Sequence, residues 1–130
     1  MKYLSEEDII EIHSILIDKI GGSHGIRDRG TISSIVSQPK QNVFGEELYT
    51  NIYTKAAAYT RGIIFNHPFI DSNKRTAIVS AFVFLEDNNF KITAQKGEVE
   101  KFTLKIISEK LEIKDIASWL EENTKKLKNS

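Results

Sequence analysis

The chain has 130 residues, 40% hydrophobic and 28% charged, with 18 basic and 18 acidic side chains and a formal net charge of zero. One globular domain over residues 1–130 is expected from that length, and zero net charge removes the electrostatic case for direct nucleic-acid binding or for adhesion to a membrane surface. There is no cysteine, hence no disulfide or thiolate metal site, and with no apolar leader and no bilayer-length apolar run the expectation is a cytoplasmic location with no membrane partner.

Taken in chain order, the pattern predicts an all-α bundle. Ser5 is a good N-cap, followed by Glu6, Glu7 and Asp8 where a helix dipole favours acids. Ile9, Ile12, Leu16 and Ile20 recur at helical spacing, and Gly21-Gly22 ends that helix. "GSHGIRDRG" reads as a glycine-studded loop, after which Thr31 opens a short helix stopped by Pro39. A longer helix is expected over "EELYTNIYTKAAAYTRGIIF", with Leu48, Ile52, Ala56, Tyr59 and Ile63 on one face. Pro68 stops it and biases His67 towards extended backbone.

The next helix begins near Asn73 and is almost wholly apolar from Ala77 to Leu85. Such a helix belongs in the core, so the bundle is expected to form around it. Asp87-Asn88-Asn89 closes it, and "FKITA" suggests a short extended segment. Two amphipathic helices follow, roughly residues 98–110 and 114–126. Residues 124–130 are expected to be a frayed, solvated tail.

The stretch "HPFIDSNKRTA", residues 67–77, carries the chemistry. It lies at the N-terminus of a buried helix, where free backbone N–H groups and the helix dipole make an anion site. Arg75 offers a bidentate fork for phosphate oxygens, Lys74 a mobile point charge, and Asn73 an amide donor. Ser72 adds a hydroxyl. Asp71 suits Mg2+, which takes one or two protein carboxylates and completes its shell with phosphates and water. Histidine exchanges a proton near neutral pH, so His67 suits a general base. Phe69 reads as the hydrophobic anchor of the loop. Base, metal ligand and phosphate cradle together are what phosphoryl or nucleotidyl transfer to a hydroxyl requires. Read singly, these residues are an N-cap, a solvated first turn and a loop histidine; the combination favours the site.

"HPFIDSNKRTA" resembles the Fic/Doc (Fido) motif, His-x-Phe-x-Asp/Glu-small-Asn-Gly/Lys-Arg. "GIRDRGTISSIVSQP" and "FVFLEDNNFKI" resemble flanking positions of its Doc, or death-on-curing, branch, so the likeness runs from about Gly25 to Phe90. The resemblance implies a Fido-type helical fold. It implies His67 as general base, Phe69 as buried anchor, Asp71 on magnesium, and Asn73 and Arg75 on the phosphates of ATP. Lys74 stands where nucleotidyl-transferring relatives usually have glycine, and Ile78 where many carry a second arginine. Ser72 departs from the commoner glycine or alanine.

The departures at Lys74 and Ile78 point to the Doc branch, and that resemblance implies a toxin that transfers the γ-phosphate of ATP to a Ser/Thr hydroxyl of a protein target, expected to be a translation factor, and arrests growth. No self-inhibitory Ser/Thr-x-x-x-Glu motif is evident, which implies a separate antitoxin protein. AMP transfer to a protein hydroxyl (AMPylation) and a non-catalytic helical binding module are the alternative readings.

Four further residues are candidates for covering the site or binding the target. Arg27 and Asp28 lie in the glycine-bordered loop. Val43 and Phe44 lie in "QPKQNVFGE", where relatives have a flap that pairs with target backbone. Arg61 is expected to hold the motif loop by its carbonyls, His13 to be structural, and His24 an exposed loop histidine.

Overall fold

A computed structural model describes residues 1–128. Along them run six α-helices: α1 (Glu6–Ile20), α2 (Arg29–Ser37), α3 (Ile52–Asn66), α4 (Asn73–Asp87), α5 (Lys96–Ser108) and α6 (Ile113–Glu122). Two small antiparallel strand pairs, the first of them a hairpin, accompany the helices. β1 (Asn42–Val43) pairs with β2 (Glu46–Glu47), and β3 (Phe90–Ile92) pairs with β4 (Thr124–Lys126). The expected helical class is the observed one.

The helix starts follow local rules. Ser5 accepts from the Asp8 N–H while the Asp8 carboxylate accepts from the Ser5 N–H, a reciprocal cap on α1. Asn51 and Thr54 do the same for α3.

The centre is the α3–α4 pair, which share the largest helix–helix contact. Ala56, Ala57 and Ala58 in α3, and Ala77 and Ala81 in α4, are buried, and small side chains let two backbones approach closely. Phe84 fills the space beyond them, edge-on to Tyr59 with ring centres 5.1 Å apart. α6 covers α3, and α1 covers α4.

Four boundaries or faces differ from expectation, each for a local reason. α3 starts at Ile52, not near Glu46, because Phe44 (φ 51) and Gly45 (φ 81) make a tight turn with two positive φ angles that folds residues 42–47 into a hairpin. Leu48 is therefore off the helix and exposed. α2 starts at Arg29 because Asp28, not Thr31, is its cap. α1 buries Ile9, His13 and Ile17, leaving Ile12 and Leu16 half-buried and Ile20 exposed. The expected tail is also corrected. α6 ends at Glu122, and Thr124–Lys126 pair with β3, extended by a Leu127 N–H bond to the Asn89 carbonyl at 2.8 Å. Residues 129–130 lie outside the described residues.

Tyr59 gives a test of the core. It is fully buried, and its hydroxyl oxygen accepts the N–H of buried Leu4 at 3.0 Å. Burial pushes its ionisation up to about 12 from 10.0, only partly opposed by the Leu4 bond. The raised value means this contribution is intact below pH 10 and is lost as pH rises from 10 to 12. We expect denaturant titrations to show a loss of roughly 3 kcal/mol over that window, absent in Tyr59→Phe. At neutral pH the same variant should be weaker by about 1–3 kcal/mol, because the Leu4 N–H loses its acceptor. Identical high-pH profiles for the two proteins would remove Tyr59 as the cause.

Candidate active site

The turn between α3 and α4 is built from backbone groups satisfied one by one. His67 ends α3 in the left-handed conformation (φ 47, ψ 62), its N–H donating to the Ile63 carbonyl at 3.2 Å. This corrects the extended backbone expected from Pro68. A left-handed residue is the common way to close a helix, and the proline restriction chiefly disfavours the right-handed region. A non-glycine residue held there costs about 1–3 kcal/mol, so its surroundings must fix it.

Arg27 does so. Its Nε donates to the His67 carbonyl at 2.5 Å and its Nη2 to the Asn66 carbonyl at 2.6 Å. The main-chain N–H groups of Arg27 and Asp28 both donate to the Pro68 carbonyl, and the Ile70 N–H donates to the Gly25 carbonyl. The loop before α2 thus lies along the motif as a strand-like partner, bridged at Ile26 and Phe69.

Two expected roles change accordingly. Arg27 braces the turn by its carbonyls, the part expected of Arg61, and does not line the cleft over the site. Arg61 instead donates to the Leu111 carbonyl at 3.0 Å and lies over the Phe65 ring, tying the α5–α6 link to α3. Asp28 is a helix cap rather than a cover. Its Oδ1 accepts from the N–H groups of Gly30 and Thr31, and bonds from Thr31 chiefly hold its carboxyl below the usual range.

Phe69 is buried, as the anchor role requires. Its ring stacks on that of His13, centres 3.9 Å apart and planes 4° from parallel. His13 is itself buried, and its Nε2–H donates to the Asp71 carbonyl at 2.9 Å. Burial lowers its pKa more than that bond raises it, so the ring stays neutral and its donor stays on the loop. His13 is thus structural, as expected.

Asn73 is corrected in part. Its Oδ1 accepts from the Phe69 N–H at 3.0 Å and its Nδ2 donates to the Phe69 carbonyl at 2.9 Å. It braces the loop first, and of its two amide donors one is left for a ligand.

Asp71 is exposed at the rim of this turn. Its Oδ1 accepts from the Ser72 N–H at 2.7 Å and its Oδ2 from the Ser23 N–H at 3.2 Å. Two bonds leave other lone pairs of the carboxylate unused. No cluster of three or more metal-ligating side chains exists among the described residues. The donor set is a single oriented carboxylate, which fits Mg2+ arriving with nucleotide phosphates and not a closed protein cage.

Ser72 is left-handed too (φ 62), and its side chain makes no cap bond. α4 is therefore open at its N-terminus, where α1, α2 and α3 each have a side-chain cap. That end faces a cleft of about 890 Å3. His67, Asp71, Ser72, Asn73, Lys74 and Arg75 all line it, so the structure brings together the polar residues of the 67–77 motif. Lys74 and Arg75 are exposed, and among the described residues no acidic partner ties down either cation. Ile78 is buried along the same cleft wall and supplies no charge. Val43 and Phe44 do not line this cleft. They belong to the β1–β2 hairpin, with Phe44 wholly exposed at its tip.

Sequence reasoning missed Gly22. A Cβ there would lie 2.7 Å from Asp71 Oδ2, and its φ is 114, whereas Gly21 (φ 101) has open space. The doublet reads as a helix stop; nothing local shows that its second residue meets a carboxylate 49 positions on. Both Gly→Ala variants should lose about 1–3 kcal/mol of stability from backbone strain. Only Gly22→Ala should also weaken calorimetric binding of magnesium–ATP, by about tenfold or more. Equal binding by the two variants would show that the Asp71 position is not set by this contact.

Comparison with known proteins agrees with this geometry. Residues 3–85 match the model of the Fic/DOC family. The chain is 36% identical over 93 residues to the toxin Doc of Mycolicibacterium smegmatis, covering 72% of this chain and 69% of that protein. It is 29% identical over 120 residues to the protein kinase doc of Escherichia phage P1, covering 92% of this chain and 94% of that one. An uncapped helix end, a braced left-handed histidine and a lone oriented carboxylate thus sit within a match covering well over half of the chain, which belongs to the Fic/DOC family.

Proposed function

We propose that this protein is a Doc-like toxin that transfers the γ-phosphate of ATP to a hydroxyl of a protein target. The observation that carries the reading is the cleft at the open end of α4, where His67, Asp71, Lys74 and Arg75 converge. His67 takes the proton of the target hydroxyl. The freed oxygen forms a bond to the γ-phosphorus as the bond from that phosphorus to the β-phosphate oxygen breaks, and ADP leaves. Arg75, Lys74 and the first-turn N–H groups of α4 bind the phosphate oxygens on which charge sits. Asp71 would hold a magnesium ion brought with the nucleotide, which neutralises phosphate charge when bound. Arg27, His13 and Asn73 keep these groups in register before substrate arrives.

Two residues favour γ-phosphate over AMP transfer. Lys74 fills space that glycine would leave for a phosphate close to the backbone, and Ile78 is apolar where a second arginine would grip the chain of phosphates. The name of the phage relative, a protein kinase, agrees. A translation factor is the proposed target and the cytoplasm the proposed location; no described helix is long and apolar enough to cross a membrane. A separate antitoxin is the proposed partner, since one relative is named a toxin. Exposed Ile20, Ile70 and Leu104 along the same cleft offer it an apolar surface beside the site.

The deciding experiment supplies cell extract and the protein with ATP labelled in either the α- or the γ-phosphate. We expect γ-label, and not α-label, to enter protein. Lys74→Gly should lose most γ-transfer. Strong α-labelling by the unaltered chain would replace phosphoryl transfer with AMP transfer, and no labelling at all would favour a binding module.

His67→Ala should lower the transfer rate by about a hundredfold to ten-thousandfold, the usual effect of removing a positioned base, with ATP binding retained. Arg75→Lys should fail to restore turnover, because an ammonium cannot form the bidentate fork. Near-normal rates in Arg75→Lys would mean that the position needs charge alone.

A further inference from the structure

The β1–β2 hairpin has little of its own to hold it. It pairs at two positions, Asn42 with Glu47 and Val43 with Glu46, and all four residues are exposed. A hairpin with no buried face is marginal in water. Yet both of its legs converge on one buried group. Lys55, in the first turn of α3, is only 2% exposed. Its Nζ donates at 3.0 Å to the Pro39 carbonyl, just before β1, and at 3.0 Å to the Glu47 carboxylate in β2. The ammonium also lies 5.5 Å from the centre of the Tyr3 ring.

A buried ammonium is tolerated only when its donors are paired. Burial works to lower the pKa of Lys55, and its bonds to Glu47 and Tyr3 more than offset this, so the group stays charged. One cation therefore closes the loop from Pro39 to Glu47 at its base.

That loop also walls a second cleft, of about 530 Å3. Ser34, Ser37, Gln38 and Gln41 face Asn66 across it, and Asn66 immediately precedes His67. The Gln41 carbonyl accepts the Leu48 N–H at 2.9 Å, so Gln41 belongs both to the hairpin and to the cleft. Apart from Ile35, the lining side chains are neutral hydrogen-bonding ones, a mixture suited to an extended polypeptide segment. None of these residues touches the phosphate cleft.

We propose that Lys55 is a positioning residue for the acceptor protein: by tying Pro39 to Glu47 it sets the hairpin and Gln41 opposite Asn66, so that a target segment lies in this second cleft with its hydroxyl at His67. The acceptor half of this inference rests on the phosphotransfer reading above; the clamp itself does not.

The test uses the full chain with Lys55→Met, which keeps length and removes the charge, and with Glu47→Gln, an exposed change that leaves the core alone. Amide exchange at Leu48 and chymotryptic cleavage after Phe44 read the hairpin. γ-Label transfer titrated against cell-extract protein reads the acceptor, and calorimetry reads ATP binding. We expect faster exchange and cleavage in both variants, greater in Lys55→Met. The half-saturating extract concentration should rise about tenfold with maximal rate and ATP affinity little changed, the pattern of lost acceptor binding. Unchanged exchange and cleavage would overturn the clamp. A loosened hairpin with unchanged half-saturation would overturn the positioning role, as would a parallel loss of ATP affinity. Failure of the phosphotransfer reading shows separately, as no γ-labelling by the unaltered chain, while exchange and cleavage still decide the clamp.

Discussion

The structure depends on one constraint: the chain must turn sharply between two buried helices without leaving a polar backbone group unpaired. α3 and α4 form the core pair, and six residues join them. Those residues make no backbone–backbone bond among themselves, and unpaired buried backbone groups cost too much to keep. The partners come from elsewhere. Arg27 and the Gly25–Asp28 backbone serve Asn66 to Ile70, His13 serves Asp71, and Asn73 serves both polar groups of Phe69. Each bond is modest, but together they hold two left-handed non-glycine residues, His67 and Ser72, in place.

That bracing makes the uncapped start of α4 useful. A protein that caps α1, α2 and α3 with side chains leaves α4 open, and it does so at the end facing the largest set of functional residues. Stability would favour a cap there. The open N–H groups instead offer donors suited to an anion at a position fixed by a core helix, so little reorganisation would remain for the proposed phosphate binding. Asp71 follows the same logic: two backbone N–H groups orient it, and its remaining lone pairs face outward.

His67 stands between two clefts of different character. One carries cations, a carboxylate and an apolar wall; the other carries serine, glutamine and asparagine side chains. The proposed phosphotransfer would need such a division, because each of its two substrates must reach the same histidine without displacing the other. The hairpin beside the polar cleft has no core of its own, so a buried lysine secures it at its root and leaves its tip free to meet a partner.

The sequence by itself determined the helical class, the buried character of α4 and the candidate residues that meet at one cleft. Helical periodicity and cap residues act over a few positions, and eleven contiguous residues supply nearly all of those candidates. Tertiary structure decided what each of those residues does. Asn73 looks like a phosphate donor and first braces Phe69, and Arg27, not Arg61, holds the turn. Gly22 reads as a helix stop and makes room for a carboxylate. Lys55, amid an alanine run, carried a faint signal: a charge in the middle of a buried face. Its partners are Pro39, just before the hairpin, and Glu47, in a hairpin strand that the helical pattern of residues 46–65 concealed. In every case the deciding contact joins residues far apart in the chain or across an element boundary. Local pattern fixes which residues are available, and only packing assigns their partners.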